Sequence, residues 1–153
     1  MEKGEIDYSK QGKKNRNSGR IFEAQVREDL ENMGWIVNKW TNTVDSDSDG
    51  KKGKLVKCKP KFNPFTKSLM MNTGGFPDFV CFKRNSDGNY EVIGLEVKST
   101  GYLDQKEKGM CIWLLENKIF SRILIAKKNK KGKTLEIEYL NFREKYKKDE
   151  KFD

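Results

Sequence analysis

Asp78, Glu96 and Lys98 are the residues whose types and spacing could do chemistry. Asp78 follows "GGFP" and opens the apolar run Phe79-Val80-Cys81-Phe82, while Glu96 and Lys98 stand two apart in "GLEVKS". Between them "NSDGN" reads as a hairpin turn, and Asp78 and Glu96 are equidistant from its middle residue, Asp87. A three-residue loop Ser86-Asp87-Gly88, with Gly88 left-handed, sets Asp78 directly across from Glu96, Cβ atoms roughly 4.5–5.5 Å apart. Lys98 returns to the same face about 7 Å further along. A two-residue Asp-Gly turn instead opposes Asp78 to Val97 and scatters the group. Facing carboxylates repel unless a cation lies between them. Mg²⁺ suits this, because it takes oxygen ligands and leaves positions for water and a phosphate oxygen. Lys98 is then available to orient that water or to offset the charge that develops on the phosphoryl group. Such a set hydrolyses phosphodiesters without histidine.

Histidine is in fact absent, which removes Ser-His-Asp and Cys-His catalysis, His-ligated zinc and every nuclease with a histidine base. The three cysteines are far apart with no CxxC pair, which argues against zinc ribbons and iron–sulfur clusters. Cys81 and Cys111 lie in apolar runs and read as small buried residues of a reducing compartment. No phosphate-binding GxxxxGK[ST] loop occurs. Lys and Arg outnumber Asp and Glu by 32 to 23, a net charge of +9 spread over several segments, which fits a polyanionic partner or a lysine-rich solubilising surface. No apolar run approaches membrane-spanning length, and the N-terminal residues lack a signal-peptide stretch. The expectation is a soluble, cytoplasmic protein with no membrane partner, near the nucleoid or in a host cytoplasm if viral.

The elements that must position these residues follow from the pattern. With 153 residues the chain is long enough for one domain with a core. Residues 1–17 read as a flexible basic arm, 18–140 as the principal domain with an insertion at about 41–75, and 141–153 as a basic C-terminal helix or tail. Ser18 is placed to cap a helix running to about Met33, its apolar stripe Phe22, Val26, Leu30 and Met33, with Gly34 as the stop. "WIVNKW" (35–40) reads as a strand, and residues 41–75 as a long loop with little periodicity. Within it "DSDSDG" resembles the start of a calcium loop, but Val56 occupies the twelfth position where a bidentate Glu belongs, so a solvated acidic turn fits better. "PDFVCFKR" and "YEVIGLEVKS" carry apolar residues on both faces, the mark of central strands. A helix over about Asp104 to Asn117 and a hairpin of "RILIAKK" and "TLEIEYL" complete an α-β-(insertion)-β-β-α-β-β order, which calls for a mixed sheet flanked by helices.

Each of these residues, and Glu23 of the first helix, has an ordinary explanation when taken alone. Asp78 serves as a strand-opening turn residue, Glu96 and Lys98 as a same-face pair, and Glu23 as an i,i+4 partner of Arg27. Together they need another, because charged groups are rarely set among buried strands without partners.

"FPDFV" followed by "LEVKS" resembles the PD-(D/E)xK nuclease signature, with Pro77-Asp78 as its first part and Glu96-Val97-Lys98 as its second. The helix "SGRIFEAQVREDLENMGW" looks like the opening of archaeal Holliday junction resolvases. The resemblance spans roughly Ser18 to Leu140, interrupted by the insertion, so the gap between Glu23 and Asp78 exceeds what compact resolvases need. It implies an α/β fold with a restriction-endonuclease-like αβββαβ core and Mg²⁺ (Mn²⁺ as substitute) held by Asp78, Glu96 and the Val97 carbonyl. Glu23 matches the helix-one acid that helps bind metal, and Lys98 the catalytic lysine. "GFPD" and "LDQK" also look like the VRR-Nuc branch of the superfamily, where a glutamine follows the lysine motif; Gln105 is that residue. The implied activity is endonucleolytic cleavage of double-stranded or branched DNA, with a homodimer expected because symmetric cuts need two sites. A restriction-type or flap nuclease, and a non-catalytic nucleic-acid-binding module on the same fold, are the alternatives.

Overall fold

The computed structural model describes residues 8–46, 53–59, 61–70 and 74–147. In chain order the elements are helix α1 (Tyr8–Asn32), strands β1 (Ile36–Lys39), β2 (Asn42–Ser46), β3 (Gly53–Lys57), β4 (Lys61–Asn63), β5 (Ser68–Met70), β6 (Phe79–Arg84) and β7 (Tyr90–Val97), helix α2 (Gln105–Glu116), strands β8 (Ile123–Lys131) and β9 (Thr134–Asn141), and helix α3 (Phe142–Lys145). Five strands form one mixed sheet in the order β1-β6-β7-β8-β9. All neighbours are antiparallel except β7 and β8, which run parallel because α2 carries the chain from one to the other. No helix among the described residues is long and apolar enough to cross a membrane.

The sheet is covered on both faces, as the doubly apolar strands require. Phe22, Val26 and Leu30 of α1 pack on Val37, Phe79, Cys81, Ile93, Leu95 and Ala126. Full burial of each such side chain contributes roughly 2 kcal/mol. The alternate residues face the other way: Ile123 and Ile125 of β8 meet Cys111, Leu114 and Leu115 of α2 and Phe142 of α3. Cys81 and Cys111 are both fully buried free thiols, whose ionisation is opposed above all by that burial.

Two expectations need correction. Helix α1 begins at Tyr8, ten residues before the expected Ser18 cap, so residues 8–17 of the expected basic arm are helical. Lys, Arg and Gln are good helix formers, and this exposed half needs no apolar stripe to continue a helix whose other half is anchored. Residues 1–7 and 148–153 lie outside the described residues. The 41–75 segment is likewise no unstructured loop: β2 pairs with β3, and β4 with β5, in two short antiparallel hairpins. The pairs Thr43↔Val56 and Val44↔Leu55 supply β-branched and aliphatic residues that the surrounding Asn, Asp and Lys obscured. Val44 is buried against the α2-side core, which fastens the first hairpin to the domain. Most of the acidic "DSDSDG" stretch lies outside the described residues.

Candidate active site

The β6–β7 hairpin closes through the three-residue loop. Asn85 N–H donates to the Asn89 carbonyl at 2.8 Å, and Gly88 N–H to the Asn85 carbonyl at 3.1 Å. Gly88 has φ +83°, a conformation that disfavours side chains with a Cβ. The Asn85 side-chain oxygen also accepts from the Asp87 and Asn89 N–H groups, fixing the turn from inside. From this turn the ladder runs Arg84↔Tyr90 to Phe79↔Leu95, and one further step sets Asp78 opposite Glu96.

At that step the pairing passes from backbone to side chains. Asp78 N–H donates to Glu96 Oε2 at 3.1 Å, and Val97 N–H donates to Asp78 Oδ2 at 2.8 Å. Each carboxylate therefore closes the end of the opposite strand. The approach to Asp78 is just as constrained. Gly75 N–H donates to the Trp40 carbonyl at 3.0 Å, Phe76 N–H to the Asn42 carbonyl at 2.9 Å, and Trp40 N–H to the Asp78 carbonyl at 3.1 Å. A Cβ on Gly75 would collide with the Asn42 carbonyl and lie 2.7 Å from that of Trp40. Glycine is needed here so that two backbones can touch.

Both carboxyls sit where charge is costly. Glu96 is 6% exposed, the one buried charged residue among those described. Burial, and then the Asp78 charge, push its pKa up to about 9, against the smaller pull of Lys98. Burial also pushes Asp78 up to about 6, opposed by the Val97 hydrogen bond and reinforced by the charge of Glu23. The pair is an under-compensated anion site, with Glu96 the group that keeps a proton when no cation is near.

Lys98 follows on the same face. Its N–H donates to the Ala126 carbonyl at 3.0 Å, extending the β7–β8 pairing. Its Nζ lies 2.7 Å from Glu107 Oε2. Partial burial lowers the lysine's pKa, but the Glu107 hydrogen bond and charge, with Glu96 and Asp104, outweigh it, so Lys98 stays firmly cationic. Glu107 is the site residue that the sequence reading missed. It forms a capping box with Asp104: Asp104 N–H donates to Glu107 Oε1 at 3.1 Å, and Glu107 N–H donates to Asp104 Oδ1 at 2.8 Å. The D-x-x-E spacing of "DQKE" is the signal that could have found it. One carboxylate thus ties the start of α2 to Lys98.

Glu23 is close enough for its charge to act on Asp78. Glu23 is half-buried on α1, its Oε2 3.6 Å from Lys39 Nζ. It does not pair with Arg27, whose guanidinium goes to Glu31 and the Val37 carbonyl, both at 3.0 Å. Gln105, the first residue of α2, lines a groove of about 190 Å³ with Val44, Gly53, Gly109, Met110 and Trp113. Trp40 is packed edge-on against Phe120 at 5.2 Å, and Trp35 lies under Lys83 Nζ at 5.8 Å. Phe62 and Phe65 are exposed on the β4–β5 hairpin.

The donor set fits a hard divalent cation: two facing carboxylates, no sulfur or imidazole, and a deficit of positive charge between them. Asp78, Glu96 and the Val97 carbonyl are the groups that would hold it. Among the described residues no group of three or more Cys, Asp or Glu side chains is placed to hold a metal ion. No family model, curated protein or solved structure matches the chain. The site must be read from its own geometry.

Proposed function

We propose that this protein is a Mg²⁺-dependent endonuclease of the PD-(D/E)xK kind that hydrolyses phosphodiester bonds in DNA. The observation that carries the reading is the pairing of Asp78 with Glu96 across the β6–β7 register, beside Lys98. In this reading α1, β1, β6, β7, α2 and β8 are the αβββαβ core of a restriction-endonuclease-like fold, and β2–β5 are an insertion between its first two strands. Asp78, Glu96 and the Val97 carbonyl would hold Mg²⁺, and the chemistry it would supply is polarisation of a phosphate and acidification of a water. The hydrogen bonds that close each strand end on the opposite carboxylate keep Asp78 and Glu96 facing one another. Lys98, held by Glu107, presents an ammonium group to the charge that develops on the phosphoryl oxygens. Glu23 and Lys39 border the site from α1 and β1 and tune the acidity of Asp78.

The charge distribution supports a polyanionic substrate. Residues 51–77, which lead directly into Asp78, contain seven lysines and no acidic residue. Binding of such a segment to phosphates weakens steeply as salt displaces it. A homodimer with two such sites accounts for cutting both strands. The test is to incubate wild type and Asp78→Ala with duplex, flapped, four-way-junction and single-stranded DNA, with Mg²⁺ or Mn²⁺ and with EDTA. Metal-dependent cleavage by the wild type alone supports the reading, and the panel ranks the substrates. Equal cleavage by both proteins, or none by either, overturns it.

A further inference from the structure

The β4–β5 hairpin turns apolar side chains to solvent. Phe62 stands opposite Leu69 in its ladder, so both lie on one face of the ribbon. Phe62 is 60% exposed and Leu69 58%, and Phe65, in the turn between the strands, is 96% exposed. An apolar face of this kind, left in water, marks an interaction surface. The turn that carries Phe65 is ordered by its own groups. Pro64 fixes one φ, Phe65 N–H donates to Asn63 Oδ1 at 2.9 Å, and the Thr66 and Ser68 hydroxyls hydrogen-bond at 2.8 Å. Lys67 closes the turn in the left-handed region at φ +51°.

The base of the hairpin is pinned beside the approach to Asp78. Cys58 N–H donates to the Thr41 carbonyl at 2.9 Å, and its thiol donates to the Gly74 carbonyl at 3.8 Å. Gly75 N–H then takes the Trp40 carbonyl, so both stems are fastened to the residues that follow β1. The four residues from Gly74 to Asp78 span at most about 14 Å. That is about four nucleotides along one strand at roughly 3.4 Å each. The charge around the hairpin is one-sided. Lys54, Lys57 and Lys67 are exposed, in a segment, 51–77, that has no acidic residue. Asp45 faces Lys54 across the β2–β3 ladder, and Asp47 and Asp49 precede the segment, so part of the charge is offset at that end.

An aromatic tip in a lysine-rich segment matches a polyanion that also offers flat apolar faces, which is nucleic acid with its bases exposed. A second copy of the chain matches it poorly, because two lysine-rich segments would be set against each other. We infer that the β4–β5 hairpin is a wedge for DNA with an interrupted base stack. Phe65 stacks on an exposed base, and lysines of the same segment hold the flanking phosphates. The wedge rests on the nuclease reading for its ligand and deepens it. It names DNA with a single-stranded stretch or a gap, ahead of continuous duplex, as the substrate class. In a continuous duplex a base step must first be opened, which offsets the stacking gained; where the stack is already broken, the gain is kept.

The test is fluorescence anisotropy in EDTA with fluorescein-labelled single-stranded, gapped and continuous duplex DNA of equal length, over a series of salt concentrations. Phe65→Ala should weaken binding to single-stranded and gapped DNA about tenfold, change continuous duplex by less than about twofold, and leave the salt slope unaltered. Phe65→Trp should bind at least as well as wild type, which separates loss of the ring from loss of the hairpin. Lys57→Gln/Lys67→Gln should lower the slope of log K against log [salt] by about 1. Tyr90→Ala, which removes an exposed aromatic at the far end of β7, should match the wild type. The wedge is overturned if Phe65→Ala equals wild type, weakens all three DNAs alike, or is no weaker than Phe65→Trp. An unchanged salt slope in the lysine pair overturns it too. Sedimentation without DNA is run alongside. A wild-type oligomer that Phe65→Ala dissociates, with DNA affinity unchanged, makes the hairpin a protein interface instead. Cleavage of the gapped DNA with Mg²⁺ is read in parallel. Phe65-dependent binding without cleavage sinks the nuclease reading and keeps the wedge. Asp78-dependent cleavage with unchanged affinity in Phe65→Ala does the reverse. No binding by the wild type at low salt overturns both.

Discussion

Replacing Asp78 by asparagine removes a charge while preserving the hydrogen-bond pattern around it. The amide oxygen of Asn still accepts the Val97 N–H now bound at 2.8 Å, and the residue's own N–H still donates to Glu96. Only the anion is lost. The rise of Asp78 from 3.8 to about 6, set first by burial, represents a cost of about 3 kcal/mol once the group is ionised. Burying the amide takes back part of the gain. Metal-free Asp78→Asn should therefore be more stable than wild type by about 1–3 kcal/mol at about pH 8. The sign follows from the direction of the shifts. A carboxyl whose folded pKa lies above its unfolded value makes the folded state bind the extra proton. The wild type's site is thus most favourable in acid, and that advantage is lost as pH rises through about 6 for Asp78 and about 9 for Glu96. The gain of the variant over wild type should fade to nothing near about pH 4, where both carboxyls are neutral in the folded protein. Thermal unfolding followed by circular dichroism in EDTA reads this directly. For a chain of this length the gain corresponds to a Tm rise of about 2–10 °C at about pH 8. A variant less stable than wild type at that pH would refute the reasoning. The pair would then be a stabilising hydrogen-bond device and not an under-compensated anion site.

Four further variants have outcomes fixed by the same structure. Gly75→Ala forces a Cβ against two backbone carbonyls that cannot step aside, and should cost about 3 kcal/mol or more, read as a lowered urea midpoint. Glu107→Gln keeps the back-bond to Asp104 N–H but loses the charge beside Lys98; cleavage should fall about tenfold or more with DNA affinity unchanged, read as kcat against Kd. Glu107→Ala also loses the capping box, so it alone should lower stability as well, by about 1 kcal/mol. In the insertion, Lys54→Gln/Lys57→Gln should reduce the salt slope of DNA binding by about 1–2, read by anisotropy, with the catalytic rate on saturating DNA unchanged.

The legible parts of this protein were those fixed by local chemistry or by counting. Of the two turns that "NSDGN" allowed, the structure has the three-residue loop with Gly88 left-handed, and with it the Asp78–Glu96 register. The doubly apolar β6 and β7 announced a sheet covered on both sides. Where the sequence misled, a weak local signal met tertiary support. Ser18 looked like a cap, yet the anchored Phe22-Val26-Leu30 stripe lets a lysine-rich helix run on to Tyr8. Val44 and Leu55 looked like strays in a polar loop, yet Val44 joins the α2-side core and Leu55 packs against it. The partner of Glu23 was the hardest to foresee. Arg27 is four residues away on the same helix, but the Val37 carbonyl and Glu31 take its guanidinium, and Lys39 on β1 takes Glu23 instead.

The most direct measurement of the central claim is a Mn²⁺ titration followed by the loss of the free-ion electron paramagnetic resonance signal, in the absence of DNA. The account predicts a saturable site in the wild type and in Lys98→Met, lost in both Asp78→Asn and Glu96→Gln. Undiminished Mn²⁺ binding by those two variants would contradict it, because the facing carboxylates would then hold no cation.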